Sequence, residues 1–212
     1  MLLKLLVILI PCIFALLRLF TKKYIFSALT TLACAAIALP YAPVMAAALF
    51  VSFIGDYFMA HKGKNEVRYL LGIAGFFLGH VIFIAHAMLY IPFAAHEAFI
   101  LDTASRTLCF QEGLITGAVL AIWFTPYLLL RVIRKVPKLL RIPVALYTFI
   151  SIAGLAAAVM TGNWIYTLGI AMLLFSDTMI AESDFAGNRK VSRLILPTYY
   201  LCHVLVALSA IL

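Results

Sequence analysis

The chain has 212 residues, 66% of them hydrophobic and only 11% charged, with a formal net charge of +8. Soluble domains carry about 25% charged residues, so a mean hydropathy of +1.13 marks an integral membrane protein, read as one transmembrane domain over 1–212. That composition leaves no soluble segment to carry a nucleic-acid site, and no nucleic acid is expected as a partner.

A membrane-spanning helix needs about 20 apolar residues. Eight stretches qualify in chain order: 2–17, 24–40, 42–60, 69–90, 112–130, 142–160, 163–181 and 194–212. The expected fold is therefore an all-α bundle of about eight transmembrane helices. The first stretch has the outline of a signal peptide, with Lys4 ahead of an apolar core. No small-residue cleavage site follows, and Arg18, Lys22 and Lys23 come instead, so it is read as a span. "LPYAP" and "TGN" supply tight turns after the second and sixth spans. The long connection 91–111 is expected to lie on the far side as a loop or interfacial helix, with His96, Glu97 and Asp102 solvated.

All but Lys4 and Arg106 of the 16 basic residues fall in the connections after spans one, three, five and seven. The positive-inside rule then puts those connections in the cytoplasm and both termini outside. This is the pattern of a multi-pass protein of a cell membrane, of the bacterial inner-membrane kind. Four cysteines show neither a CxxC nor a zinc-type spacing, and no metal site or cofactor is expected.

Two aspartates break the apolar pattern: Asp56 in "FIGDYFMA" and Asp177 in "MLLFSDTMIA". A carboxylate at membrane depth is costly, by about 2.5–3.5 kcal/mol on insertion scales, and is a functional candidate by default. The alternative is pairing with a loop Arg or Lys near the interface. The two settings echo each other: "IGDYFMA" aligns with "FSDTMIA", and in the spans that follow "LGHV" aligns with "LCHV". Either two parallel four-helix halves or chance between small-residue-rich helices would produce this. Counting from the basic connections at 1.5 Å per residue, both aspartates lie roughly 7 Å deep, and His80 and His203 roughly 15–18 Å. A direct Asp–His contact would then need a tilt or kink. Gly72, Gly75 and Gly79 allow close helix approach in the fourth span.

The stretches "GDYFMA", "AGFFLGHVIFIAH", "RIPVALYTFISIAG", "LLFSD" and "LPTYYLCHVLVALS", in that order, resemble the YhhN family of lysoplasmalogenases. The resemblance implies a multipass hydrolase that cleaves the vinyl ether bond of lysoplasmalogens, giving a fatty aldehyde and glycerophosphoethanolamine or glycerophosphocholine. It puts Asp56 and Asp177 at the acidic positions, expected to be catalytic. From the residues themselves, His80, Tyr147, Tyr199, Tyr200 and His203 are the expected substrate contacts, the alternatives being interhelical hydrogen bonds for the histidines and membrane-belt anchoring for Tyr199 and Tyr200. His203 stands where the family is expected to favour Gln. The chemistry suits the residues: protonation of a vinyl ether gives an oxocarbenium ion, and two carboxyls in different environments can supply both the acid and the anion, as in glycosidases. The alternatives are a metal-dependent lipid amidase or ceramidase using the histidines and aspartates, and a small proton-coupled transporter with an Asp/His relay.

The charge asymmetry makes one direct prediction. A Lys135→Cys variant should resist impermeant thiol reagents applied to intact cells and react after permeabilisation; efficient labelling from outside would reverse the assigned orientation.

Overall fold

In a lipid environment each backbone N–H and C=O must be satisfied within the protein, and an apolar chain meets that demand by coiling into helices. The computed structural model describes residues 6–63, 65–97 and 103–212, and among these it shows helices and turns with no strand. The helices are α1 (Leu9–Thr21), α2 (Tyr24–Ala38), α3 (Pro43–Ala60), α4 (Glu66–Glu97), α5 (Thr103–Tyr127), α6 (Arg141–Met160), α7 (Trp164–Asp184) and α8 (Ser192–Ile211).

Among the described residues six helices, α3 to α8, are long and apolar enough to cross a membrane. The first two are shorter than the sequence pattern suggests, at 13 and 15 residues. Lys22, at φ 58°, ends α1 in the left-handed conformation, and Pro40 stops α2 from continuing beyond the 39–41 turn. Conversely, much of the expected 91–111 connection is helical: α4 runs on to Glu97 and α5 starts at Thr103. Asp102 lies outside the described residues, as do Lys4 and the start of the first span. The sixth-to-seventh turn follows the sequence. Gly162 takes φ +69°, and the Asn163 side chain caps α7 by accepting from the Tyr166 N–H at 3.1 Å.

The most extensive helix pairings are α3 with α4 and α7 with α8, the equivalent members of the two echoing halves. Small residues make both close. A Cβ on Gly75 would stand 2.9 Å from the Gly55 Cα, and one on Gly79 would stand 2.8 Å from Ser52 Oγ. In the second pair, a Cβ on Gly169 would meet Val206 at 2.9 Å. Van der Waals contact at this range replaces the hydrophobic drive that lipid cannot supply.

Helix α5 ends irregularly. Pro126 lies inside it, removing one backbone donor, and the chain continues as a π turn, Leu128–Val132, and a 3-10 turn, Ile133–Lys135. This re-aims Arg131 toward α7. Gly75→Val should disrupt the α3–α4 pair, costing roughly 1–3 kcal/mol by overpacking. A melting curve in detergent should show a drop of several degrees, and an unchanged curve would mean the pair is not tightly packed.

Candidate active site

Asp177 is met by two side chains from two other helices, with Ser151 bracing them both. Tyr147 Oη donates to Asp177 Oδ2 at 2.7 Å. His80 Nε2 lies 3.5 Å from the same oxygen, 3.2 Å from Tyr147 Oη and 3.1 Å from Ser151 Oγ. Ser151 gives its own hydrogen to the Tyr147 carbonyl at 2.9 Å. With the Tyr147 and Ser151 hydrogens committed elsewhere, nothing donates to His80 Nε2, so that nitrogen carries the hydrogen and is itself the donor. His80 is 1% exposed and Asp177 10%. His80 Nδ1 is buried without a partner, and Gly154 leaves room for it, since a Cβ there would come within 3.2 Å.

By the depth argument a direct Asp–His contact needs a tilt or kink. His80 and Asp177 meet because antiparallel helices lean their side chains toward each other. Each Cα–Cβ bond tilts toward its helix N-terminus. Helix α4 runs away from the basic connections and α7 runs back toward them, so the deeper His80 leans down while Asp177 leans up. Helix α7 also continues to Asp184, which sets Asp177 deeper than a count from Glu182 implies. The pairing crosses the two halves of the sequence echo, joining His80 of the first to Asp177 of the second.

Asp56 has a different setting. Thr31 Oγ1, from α2, donates to Asp56 Oδ2 at 3.3 Å. The Tyr199 hydroxyl faces Asp56 closely enough to act on it as a donor, though it falls outside regular hydrogen-bond geometry with any partner. The two aspartates are near enough to feel each other's charge.

Two clefts open at the basic end of the bundle. Asp177, Tyr147 and Ser151 line a mainly apolar one with Ile73, Phe124 and Leu174. Asp56 and Tyr199 line a more polar one with Arg18, Tyr24, Ser27, Lys62 and Asp184. Met59, Phe76 and Ile180 line both and form the partition between them. The Phe76 ring packs on Gly55, where a Cβ would lie 3.1 Å away, and stands edge-on to Tyr199 with centroids 6.1 Å apart.

The other candidates from the sequence lie apart from the clefts. Tyr200 donates to Ser27 Oγ at 2.9 Å and is buried. His203 donates from Nδ1 to the Tyr199 carbonyl at 2.8 Å and packs edge-on against the Tyr199 ring at 4.2 Å. Both support neighbours of the site and line neither cleft. Ser151 and Thr31 were missed. Ser151 lies one helical turn beyond Tyr147, and Thr31 is half of a polar pair in "SALTTLACAA", signals visible only once a partner helix is known.

Among the described residues, neither aspartate forms an ion pair with Lys or Arg. The basic connections take other acids instead. Arg131 Nε lies 2.7 Å from Glu182 Oε1, which also accepts from Tyr127 at 2.9 Å; Arg131 is thereby committed to holding α5 against α7. Asp184 is clasped by Lys62 and by Tyr69 Oη at 2.9 Å, and Lys62 sits over the Tyr69 ring at 4.4 Å. Among the described residues no three His, Cys, Asp or Glu side chains converge as metal ligands.

The sequence model of the YhhN family matches residues 17–210. No curated protein and no solved structure matches the chain.

The Tyr147–Asp177 bond should be measurable by a double-mutant cycle. Tyr147→Phe and Asp177→Asn should show a coupling of about 0.5–3 kcal/mol in unfolding free energy, since hydrogen bonds to charged groups contribute about 1.5–3 kcal/mol. Strict additivity would mean that the two side chains do not interact.

Proposed function

The chain belongs to the YhhN family, and from that premise and the site geometry we propose that it is a membrane hydrolase that cleaves the vinyl ether bond of lysoplasmalogens to a fatty aldehyde and glycerophosphoethanolamine or glycerophosphocholine. The family is lysoplasmalogenase-like. The observation that carries the proposal is the pair of unlike carboxyls: Asp177 receives a short bond from Tyr147 and faces His80, whereas Asp56 receives one long bond from Thr31. Among the described residues neither is paired with Lys or Arg.

That difference divides the labour. Asp177, with two donors around one oxygen, is held as the anion. Asp56, with only the long Thr31 bond and the loosely placed Tyr199 hydroxyl beside it, is assigned the proton and the role of general acid. The alkenyl ether lies across the partition of Met59, Phe76 and Ile180, whose side chains move aside to admit it. Asp56 gives its proton to the β-carbon of the vinyl ether. The double-bond electrons form the new C–H bond, and the ether oxygen shares the positive charge as an oxocarbenium ion, which Asp177 faces. Water adds to the cationic carbon and loses a proton to Asp177. In the collapse, the hemiacetal hydroxyl returns a proton to Asp56, the C–O bond breaks, and Asp177 protonates the departing glycerol oxygen. Both carboxyls are then restored. General acid–base catalysis of this kind contributes about 10²–10⁴-fold per group.

Purified protein supplied with lysoplasmalogen should release aldehyde, and the saturated-ether analogue should stay intact. In heavy water, with the aldehyde reduced at once, the product should carry one deuterium at carbon 2. Asp56→Asn and Asp177→Asn should each lower turnover at least about 100-fold while the protein remains folded. EDTA should leave the rate unchanged, whereas loss of activity on chelation would favour the metal-dependent amidase class. Aldehyde without deuterium at carbon 2 would exclude β-carbon protonation. The buried His80–Tyr147–Asp177 chain also suits a proton relay, so a transporter is the second reading. Proton-coupled flux in liposomes without lipid turnover would establish it in place of the first.

A further inference from the structure

The cleft beside Asp56 holds a set of hydrogen-bond donors that the protein itself leaves unused. Arg18 Nε, Tyr24 Oη and Tyr199 Oη are all buried without a partner, and all three residues line this cleft. Tyr199 is only 5% exposed. Ser27, on the same wall, accepts from Tyr200, which leaves its own hydrogen free. A buried polar group without a partner costs about 1–3 kcal/mol, so three in one cleft are a strong bias toward an occupant that brings acceptors.

The acceptors already present do not meet the demand. Asp184 is occupied by Lys62 and Tyr69. Asp56 is bonded by Thr31, and the Tyr199 hydroxyl that faces it closes no bond of regular geometry. The remaining donors come from three places in the chain: the last turn of α1, the first turns of α2 and the middle of α8. A guanidinium and several hydroxyls converging from separate elements suit a tetrahedral anion better than a planar amide or a hydrocarbon. The cleft volume, about 220 Å³, falls below the roughly 300–1,000 Å³ that encloses a whole drug-sized ligand. It is sized for the polar part of a lipid. The apolar cleft lies on the other side of the Met59, Phe76 and Ile180 partition, where a chain joined to that polar part would run.

We propose that the Asp56 cleft is a phosphodiester site, in which Arg18, Tyr24, Ser27 and Tyr199 hold the phosphate of a single-chain glycerophospholipid while its hydrocarbon chain lies on the Asp177 side of the partition. Lys62 stands at the rim and supplies further positive charge when the phosphate draws it from Asp184. This deepens the proposed function by assigning the two ends of its substrate to the two clefts, and it rests on that reading only for the identity of the lipid class.

The test reads binding, not turnover. Native mass spectrometry of the detergent-solubilised protein would compare 1-O-hexadecyl-glycerophosphocholine, a saturated ether that vinyl ether chemistry cannot cleave, with 1-O-hexadecylglycerol, which has the same chain and no phosphate. Arg18→Gln should weaken the phospholipid at least about tenfold, the loss of one charge-assisted hydrogen bond, and leave the neutral ether unchanged. Tyr24→Phe removes one hydroxyl with little risk to folding, and should weaken the same ligand alone by a few-fold. Equal binding of the phospholipid by wild type and both variants would overturn the site, as would equal weakening of both ligands. Glycerophosphocholine without a chain is the third arm. If it binds as tightly as the whole lipid, the ligand is a free phosphodiester, and the assignment to a lipid falls. Tight, Arg18-dependent binding with no aldehyde from lysoplasmalogen would remove the proposed reaction and keep the site. Normal aldehyde release with Arg18-independent binding would do the reverse.

Discussion

A charge among lipid-facing helices persists only where donors reach it, and the bonds onto Asp177 are the constraint around which this bundle is arranged. Tyr147 and His80 must come from two different helices to meet one carboxylate oxygen. That demand fixes the rotation of α6, which presents Tyr147, Ser151 and Gly154 on one stripe, and of α4, which presents His80. Gly154 is small because the imidazole lies against it. The glycines that let α4 press on α3 also fix the position of α4 relative to Asp56. A shift in one helix would therefore be felt at both carboxyls.

The bases and acids at the connections serve a separate purpose from the aspartates within the helices. Arg131 and Tyr127 hold Glu182, and Lys62 and Tyr69 hold Asp184. These exposed or half-exposed pairs contribute little stability each. Their effect is positional: they tie the end of α7 to the end of α5 and to the α3–α4 connection, and so frame the mouths of the two clefts. With those bases engaged, the intramembrane carboxyls stay free of them.

Much of the architecture was legible in the sequence because apolar runs bounded by basic clusters leave little freedom in a membrane. The close glycine packing of the fourth span and the Asn163 turn were equally readable, since each follows from one residue's size or capping chemistry. Asp56, Asp177, His80 and Tyr147 stood out as polar residues in apolar helices. What the sequence did not reveal was who pairs with whom. The internal echo set one Asp and one His in each half without pairing them, and counting residues along the helix axis made any Asp–His contact depend on a tilt or kink. Neither argument included the lean of side chains toward each helix N-terminus, which brings His80 and Asp177 together across the halves. His203, though equivalent to His80 in the echo, turns to its own helix and braces Tyr199.

The Lys62–Asp184–Tyr69 clasp has a consequence for how the two clefts respond to occupancy. Tyr69 lines the apolar cleft, while Lys62 and Asp184 line the polar one, so a single fastening spans both mouths. Whatever loosens it from one side has already loosened it from the other. By thermodynamic reciprocity, a ligand on either side that favours the unclasped state raises affinity on the opposite side by the same factor. A molecule long enough to reach both would gain from that linkage; its two fragments, offered singly, would each face the clasp alone.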